Sequence, residues 1–158
     1  NTVGKQTIIY TRDKWADMFA MWPNVKKLPA LPYEGDKRQD EPFHWGTGPF
    51  AGVVATSFKP KAVFMLGFDL YPLPGSDQKK DNNIYRDSKG YTYIKRPVDP
   101  SYWIHQFGKL FEHSDCRWII VNREDWKMPN EWSGYKNVFK ETYEGMAKFV
   151  QKQLTKSK

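Results

Sequence analysis

Gly46-Thr47-Gly48 opens a run of small residues, "GTGPFAGVVATS", and its chemistry would be anion binding. Successive backbone N–H groups at the start of a helix can hold a phosphate through the positive end of the helix dipole, and the Thr47 hydroxyl adds a donor. The same triplet also serves as a glycine-rich turn with Thr47 as the N-cap. It follows a loop rather than a strand and carries no P-loop lysine, so it is neither a dinucleotide fingerprint nor a Walker loop. Farther on, "GFDLY" at 67–71 ends an apolar run on one carboxylate, Asp69, with Tyr71 just beyond it. A carboxylate at a strand end can bind a ribose or take part in proton transfer, or it can cap the turn that follows.

A third group lies in "NNIYRDSKGYTYIKR", where Tyr85, Tyr91 and Tyr93 alternate with Arg86, Lys89, Lys95 and Arg96. Tyrosine hydroxyls beside cations bind phosphate or a sugar carboxylate, and a loop that orders over the ligand excludes water. Interleaved aromatics and cations also suit single-stranded nucleic acid, and the stretch also reads as a solvated loop packed by its own tyrosines. His44, beside the glycine turn, is a candidate base; His105 and His113 read as surface or dipole-favoured helix residues. Cys116 begins an apolar run and reads as packing. One cysteine excludes an internal disulfide and a cysteine-rich metal site, and three isolated histidines do not make a zinc cluster.

These groups need elements to position them. "KQTIIYT" at 5–11 reads as a buried strand, and Asp13 as the cap of a helix carrying Trp15, Met18, Phe19 and Trp22 up to Pro23. "NVKKLPAL" offers a short second strand. Residues 29–46 form a long loop, a helix runs from about Pro49 to Ser57, and "AVFMLGF" at 62–68 has the continuous apolar character of a central parallel strand. A polar loop at 72–97 leads to Asp99 and Pro100, cap and first turn of a helix whose inward face is Trp103, Phe107, Leu110 and Phe111. "RWIIV" at 117–121 is the fourth strand, and Phe139, Tyr143, Met146, Phe149, Val150 and Leu154 make a last amphipathic helix. The alternation predicts an α/β fold, a Rossmann-like three-layer sandwich with a mostly parallel sheet of about four strands. Ligands in such sheets bind beyond the carboxyl ends of the strands, where the sequence places Arg12 and Asp13, Phe68 to Tyr71, and Asn122, Arg123 and Asp125.

The 158 residues amount to one domain, and an aromatic fraction of 16% sets the chain apart from disordered sequences. A formal charge of +7 favours an anionic partner, a small ligand such as a nucleotide or nucleotide sugar ahead of nucleic acid. Part of that charge sits in the basic tail at 153–158. No apolar run approaches the length of a membrane span and no charged-then-apolar leader is present.

The string "TGPFAGVVATSFKPKAVFMLGFDLY", then a tyrosine-bearing polar loop, "YIKR", a helix and "RWIIV", resembles the central and C-terminal part of the bacterial sialyltransferases of glycosyltransferase family 42 and their relatives. The resemblance covers roughly residues 46–122 and extends to short phage-encoded proteins, which would place the chain in the cytoplasm of an infected host. It implies a metal-independent domain without cofactor that takes a sugar from a CMP-activated donor. Thr47 and Gly48 would lie at the nucleotide, with Tyr71, Tyr85, Tyr93 and Lys95 binding substrate and loop 72–97 acting as a lid. Asp69, Arg96 and His44 would be the catalytic positions. Two features depart from the family. Its N-terminal strand with a Gly-Asn-Gly-Pro-Ser type loop has no counterpart in residues 1–158, and Arg96 stands where the family has a catalytic histidine. An arginine stays protonated and cannot act as a base, so either another group such as His44 or His105 serves as base, or the chain is a non-catalytic module binding a glycan, nucleic acid or protein on a degenerate fold.

Overall fold

A computed structural model describes residues 7–33, 45–71 and 100–156. In chain order the elements are β1 (Ile9–Thr11), α1 (Asp13–Ala16), β2 (Val25–Lys27), α2 (Thr47–Ser57), β3 (Ala62–Leu66), α3 (Ser101–Glu112), β4 (Arg117–Asn122), β5 (Val138–Thr142) and α4 (Tyr143–Lys156), with 3-10 turns at Asp17–Phe19 and Asn130–Trp132. β3, β4 and β5 form a parallel sheet in that order; β1 and β2 pair in parallel as a separate ribbon. The fold is α/β and Rossmann-like.

Side-chain alternation decides what each face of the larger sheet buries. Val63 and Met65 pair with Trp118 and Ile120, and Trp118 with Val138, so these residues share one face, covered by α2 and α3. Phe64, Ile119 and Phe139 share the other, where Phe149 of α4 meets Phe64 at 5.6 Å between ring centroids. The core between sheet and α3 is built of rings: Phe111 stands edge-on to Trp118 at 5.2 Å and to Trp132 at 5.1 Å. Both indoles are fully buried, so each N–H needs a partner. Trp118 Nε1 donates to Ser114 Oγ at 2.7 Å, and Trp132 Nε1 to the Ile104 carbonyl at 2.9 Å. Gly52 lets α2 approach, since a Cβ there would stand 2.7 Å from Leu110 Cδ1.

Several sequence expectations are corrected. Phe139 lies in β5, not on the last helix, and among the described residues the strands number five, in two sheets. Trp15, Met18, Phe19 and Trp22 do not form a buried helical face: α1 is a single turn, a 3-10 turn follows it, and all four side chains are exposed. On α3 the helix begins at Ser101, and Ile104 and Gln106 are buried while Trp103 sits at the edge of the core. Asp13 is the first helical residue of α1, after Arg12 in the cap position. Loop 72–97, Asp99, residues 34–44 and the last two residues of the basic tail lie outside the described residues. Among the described residues no helix is long and apolar enough to cross a membrane.

Candidate functional site

The carboxyl end of β3 runs into a strained loop. Gly67 has φ +75°, which costs glycine little, but Leu70 has φ +61°, where a side chain crowds its own backbone. The Tyr71 N–H donates to the Asp69 carbonyl at 2.7 Å, closing a γ-turn centred on Leu70. Strain of this kind persists only where surrounding structure holds it. Here β4 and the segment after it do the holding. The Asp69 carbonyl also accepts from Trp126 Nε1 at 2.7 Å, and the Phe68 carbonyl accepts from Asn122 Nδ2 at 3.5 Å. Asn122 is buried, and its Oδ1 accepts the Arg123 N–H at 2.8 Å. Lys140 Nζ, from the edge strand β5, donates to the Trp126 and Glu124 carbonyls.

Asp69 therefore anchors the turn through its main chain, and among the described hydrogen bonds none uses its carboxylate. That leaves the half-buried carboxylate at the strand end available for a ligand. Tyr71 follows it. Partial burial and, secondarily, the Glu131 carboxylate hold its phenol pKa above the ordinary tyrosine value. Arg123 and Asp125 instead pair with each other at 3.1 Å.

Helix α2 begins two residues earlier than expected, and Thr47 is not its cap. Gly46 takes the extended backbone of the N-cap position, φ −70° and ψ 163°, and its carbonyl accepts the Phe50 N–H at 3.1 Å. No side chain caps this end. The Gly46 N–H reaches the buried Gln106 Oε1 at 3.4 Å, and a Cβ on Gly46 would meet the Trp103 indole at 2.7 Å. A Cβ on Gly48 would stand 2.6 Å from the Phe68 ring, so glycine is what lets the first turn of α2 rest against "GFDLY". The structure thus brings the two sequence motifs together across Phe68.

Arg12 leaves the end of β1 toward the same helix. Its Nη2 donates to the Trp45 carbonyl at 2.8 Å and its guanidinium lies over the Phe50 ring, 5.3 Å from the centroid. A cavity of about 450 Å³ opens there, lined by Tyr10, Thr11, Arg12, Trp15 and Leu28 on one side and by Thr47, Phe50, Ala51 and Val54 of α2 on the other. A second, of about 510 Å³, shares Arg12, Leu28 and Phe50 and adds Lys14 and Lys27. Cavities of this size suit a nucleotide-sized ligand. A guanidinium and an uncapped helix N-terminus would take its charge, and the apolar wall its base or sugar face.

Of the predicted site residues, Thr47 lines this cavity, Gly48 packs on Phe68, and Asp69 and Tyr71 lie at the end of β3. His44, Tyr85, Tyr93, Lys95 and Arg96 lie outside the described residues. His105 is half-buried rather than on the surface, because α3 turns that side toward the core; His113 follows α3 with its ring on the Lys109 carbonyl at 3.0 Å, and Cys116 is buried. Sequence reasoning placed Arg12 at a strand end without a role and gave no sign of the part played by Trp126. Among the described residues no group of three or more His, Cys, Asp and Glu could hold a metal ion. Compared with known proteins, the chain matches no family model, no curated protein and no solved structure.

Proposed function

We propose that this chain is a glycosyltransferase-like domain that binds a nucleotide or a CMP-activated sugar and transfers the sugar to an acceptor hydroxyl. The observation that carries the reading is the cavity lined by both Arg12 and Thr47 at the start of α2, which no side chain caps. The donor's phosphate sits against Arg12, the Thr47 hydroxyl and the helix end. The sugar extends past Phe68 toward Asp69 and Tyr71. Resemblance to the sialyltransferase family supports the choice of a CMP donor, and metal-independent chemistry follows from the same resemblance.

Titration calorimetry with CMP, UMP and their sugar conjugates, at low and physiological salt, tests this. Micromolar, salt-tolerant binding to one of them is the expected result. Charge-assisted hydrogen bonds contribute about 1.5–3 kcal/mol, so Arg12→Gln should weaken binding by roughly 10- to 100-fold. Absence of binding to any of these nucleotides would end the donor-site reading. Arg96, at the position where the family has its histidine, favours a second reading in which the cleft binds without catalysis. Release of CMP from the donor in the presence of acceptor glycans separates the two.

A further inference from the structure

The strained turn at Asp69–Tyr71, which follows β3, is tied to a side chain from the opposite edge of the sheet. Lys140 lies in β5, in register with the buried Ile120 of β4, so its stem leaves on the face that carries the aromatic core. Its ammonium donates to two main-chain carbonyls of the segment after β4, those of Glu124 and Trp126. Neither carbonyl receives another hydrogen bond among the described residues. The rest of that segment is lightly fixed. Asn122 Oδ1 accepts the Arg123 N–H at 2.8 Å, the Trp126 N–H closes a turn on the Arg123 carbonyl at 3.1 Å, and the Arg123–Asp125 pair lies toward solvent, where ion pairs contribute little. Trp126 is buried, and its indole N–H is the donor that reaches the Asp69 carbonyl, the same oxygen that accepts the Tyr71 N–H.

We infer that Lys140 is a positioning residue for the strand-end turn. Its charge-assisted bonds hold the main chain from which the Trp126 indole projects, keep that indole on the Asp69 carbonyl, and so fix the backbone that carries the Asp69 carboxylate and the Tyr71 phenol. A neutral side chain of the same length would pack as well and hold neither carbonyl. The consequence for binding rests on the proposed sugar end of the donor site; the positioning itself does not.

Hydrogen exchange of the full chain without ligand reads the positioning directly. Lys140→Met keeps the unbranched stem and removes the ammonium, and it should speed exchange of the Tyr71 amide and the Trp126 indole N–H roughly tenfold. The change at Ile120 and Val121, which exchange on global unfolding, should be smaller. Lys140→Arg keeps a cationic donor and should restore most of the protection. Trp126→Phe should speed the Tyr71 amide by itself, and adding Lys140→Met to it should change little more, because both act through one bond. A change at Tyr71 no larger than at Ile120 and Val121, or full additivity with Trp126→Phe, would overturn the inference. Calorimetry separates it from the donor-site reading: CMP, held at the Arg12 end, should bind Lys140→Met as it binds wild type, and the sugar conjugate several-fold more weakly. A wild-type chain that binds neither would end the donor-site reading and leave exchange at Tyr71 to decide the role of Lys140.

Discussion

Leu70 holds a backbone conformation that a branched side chain resists, and the cost is met by bonds arriving from β4 and its continuation. Trp126→Phe removes the indole donor to the Asp69 carbonyl while keeping most of the ring volume; the net loss is about 1 kcal/mol, read as a lower chemical-denaturation midpoint. Gly67→Ala meets no atom within 4 Å, so its effect isolates the backbone term, a loss of about 1–2 kcal/mol from φ +75° alone. Asp69→Ala is the informative contrast. Because the turn bonds run to its carbonyl, the substitution should change stability by less than about 0.5 kcal/mol, while nucleotide-sugar binding or turnover falls. Tyr71 gives a pH signature. The folded chain holds its phenol proton more tightly than the unfolded chain, so this stabilising contribution is complete below the unfolded value, about 10, and is lost as pH rises through the higher folded one. Thermal melts of Tyr71→Phe should fall less steeply on the alkaline side than wild type.

At the level of elements, Gly52 is the residue on which the approach of α2 depends. A methyl there would stand 2.7 Å from Leu110, 3.3 Å from Phe107 and 3.4 Å from Trp118, all within a filled core. Gly52→Ala should therefore destabilise by about 1–3 kcal/mol despite the better helix propensity of alanine. The strands β3 and β4 were legible because "AVFML" and "RWIIV" are continuous apolar runs with no competing period, although among the described strands only β4 is central and β3, expected to be central, lies at an edge of its sheet. β5 was not. In "VFKET" two apolar residues are followed by three polar ones, which shows no period of two, and Phe139 also falls in register with Tyr143, Met146 and Val150, so the helical period absorbed it. At Trp15 to Trp22 the helical spacing was real but the helix was not, since a 3-10 turn redirects the chain after Ala16. Periodicity cannot distinguish an apolar face that is buried from one that is displayed. The site was legible in part for the same physical reason. Glycines that permit close approach announce themselves, as Gly46 and Gly48 do, whereas a long-range bond such as Trp126 to Asp69 leaves no local trace.

Across the whole molecule, the aromatic core sits between the larger sheet and α3, while β1 and β2 form a ribbon of two three-residue strands apart from that sheet. The cavity lies between these two parts, with α2 on one side and the ribbon on the other. Its walls therefore differ in the free energy needed to open them. Amide hydrogens of Ile120 and Val121 should exchange only on global unfolding, those of Tyr10 and Lys26 through cheap local openings. A ligand that needs both walls is then bound by a fraction of the population and adds its own free energy to the weaker wall. Exchange at β1 and β2 should slow in proportion to ligand occupancy while exchange in β4 stays as it was. The ribbon is thus a built-in reporter of occupancy, usable before any product can be assayed.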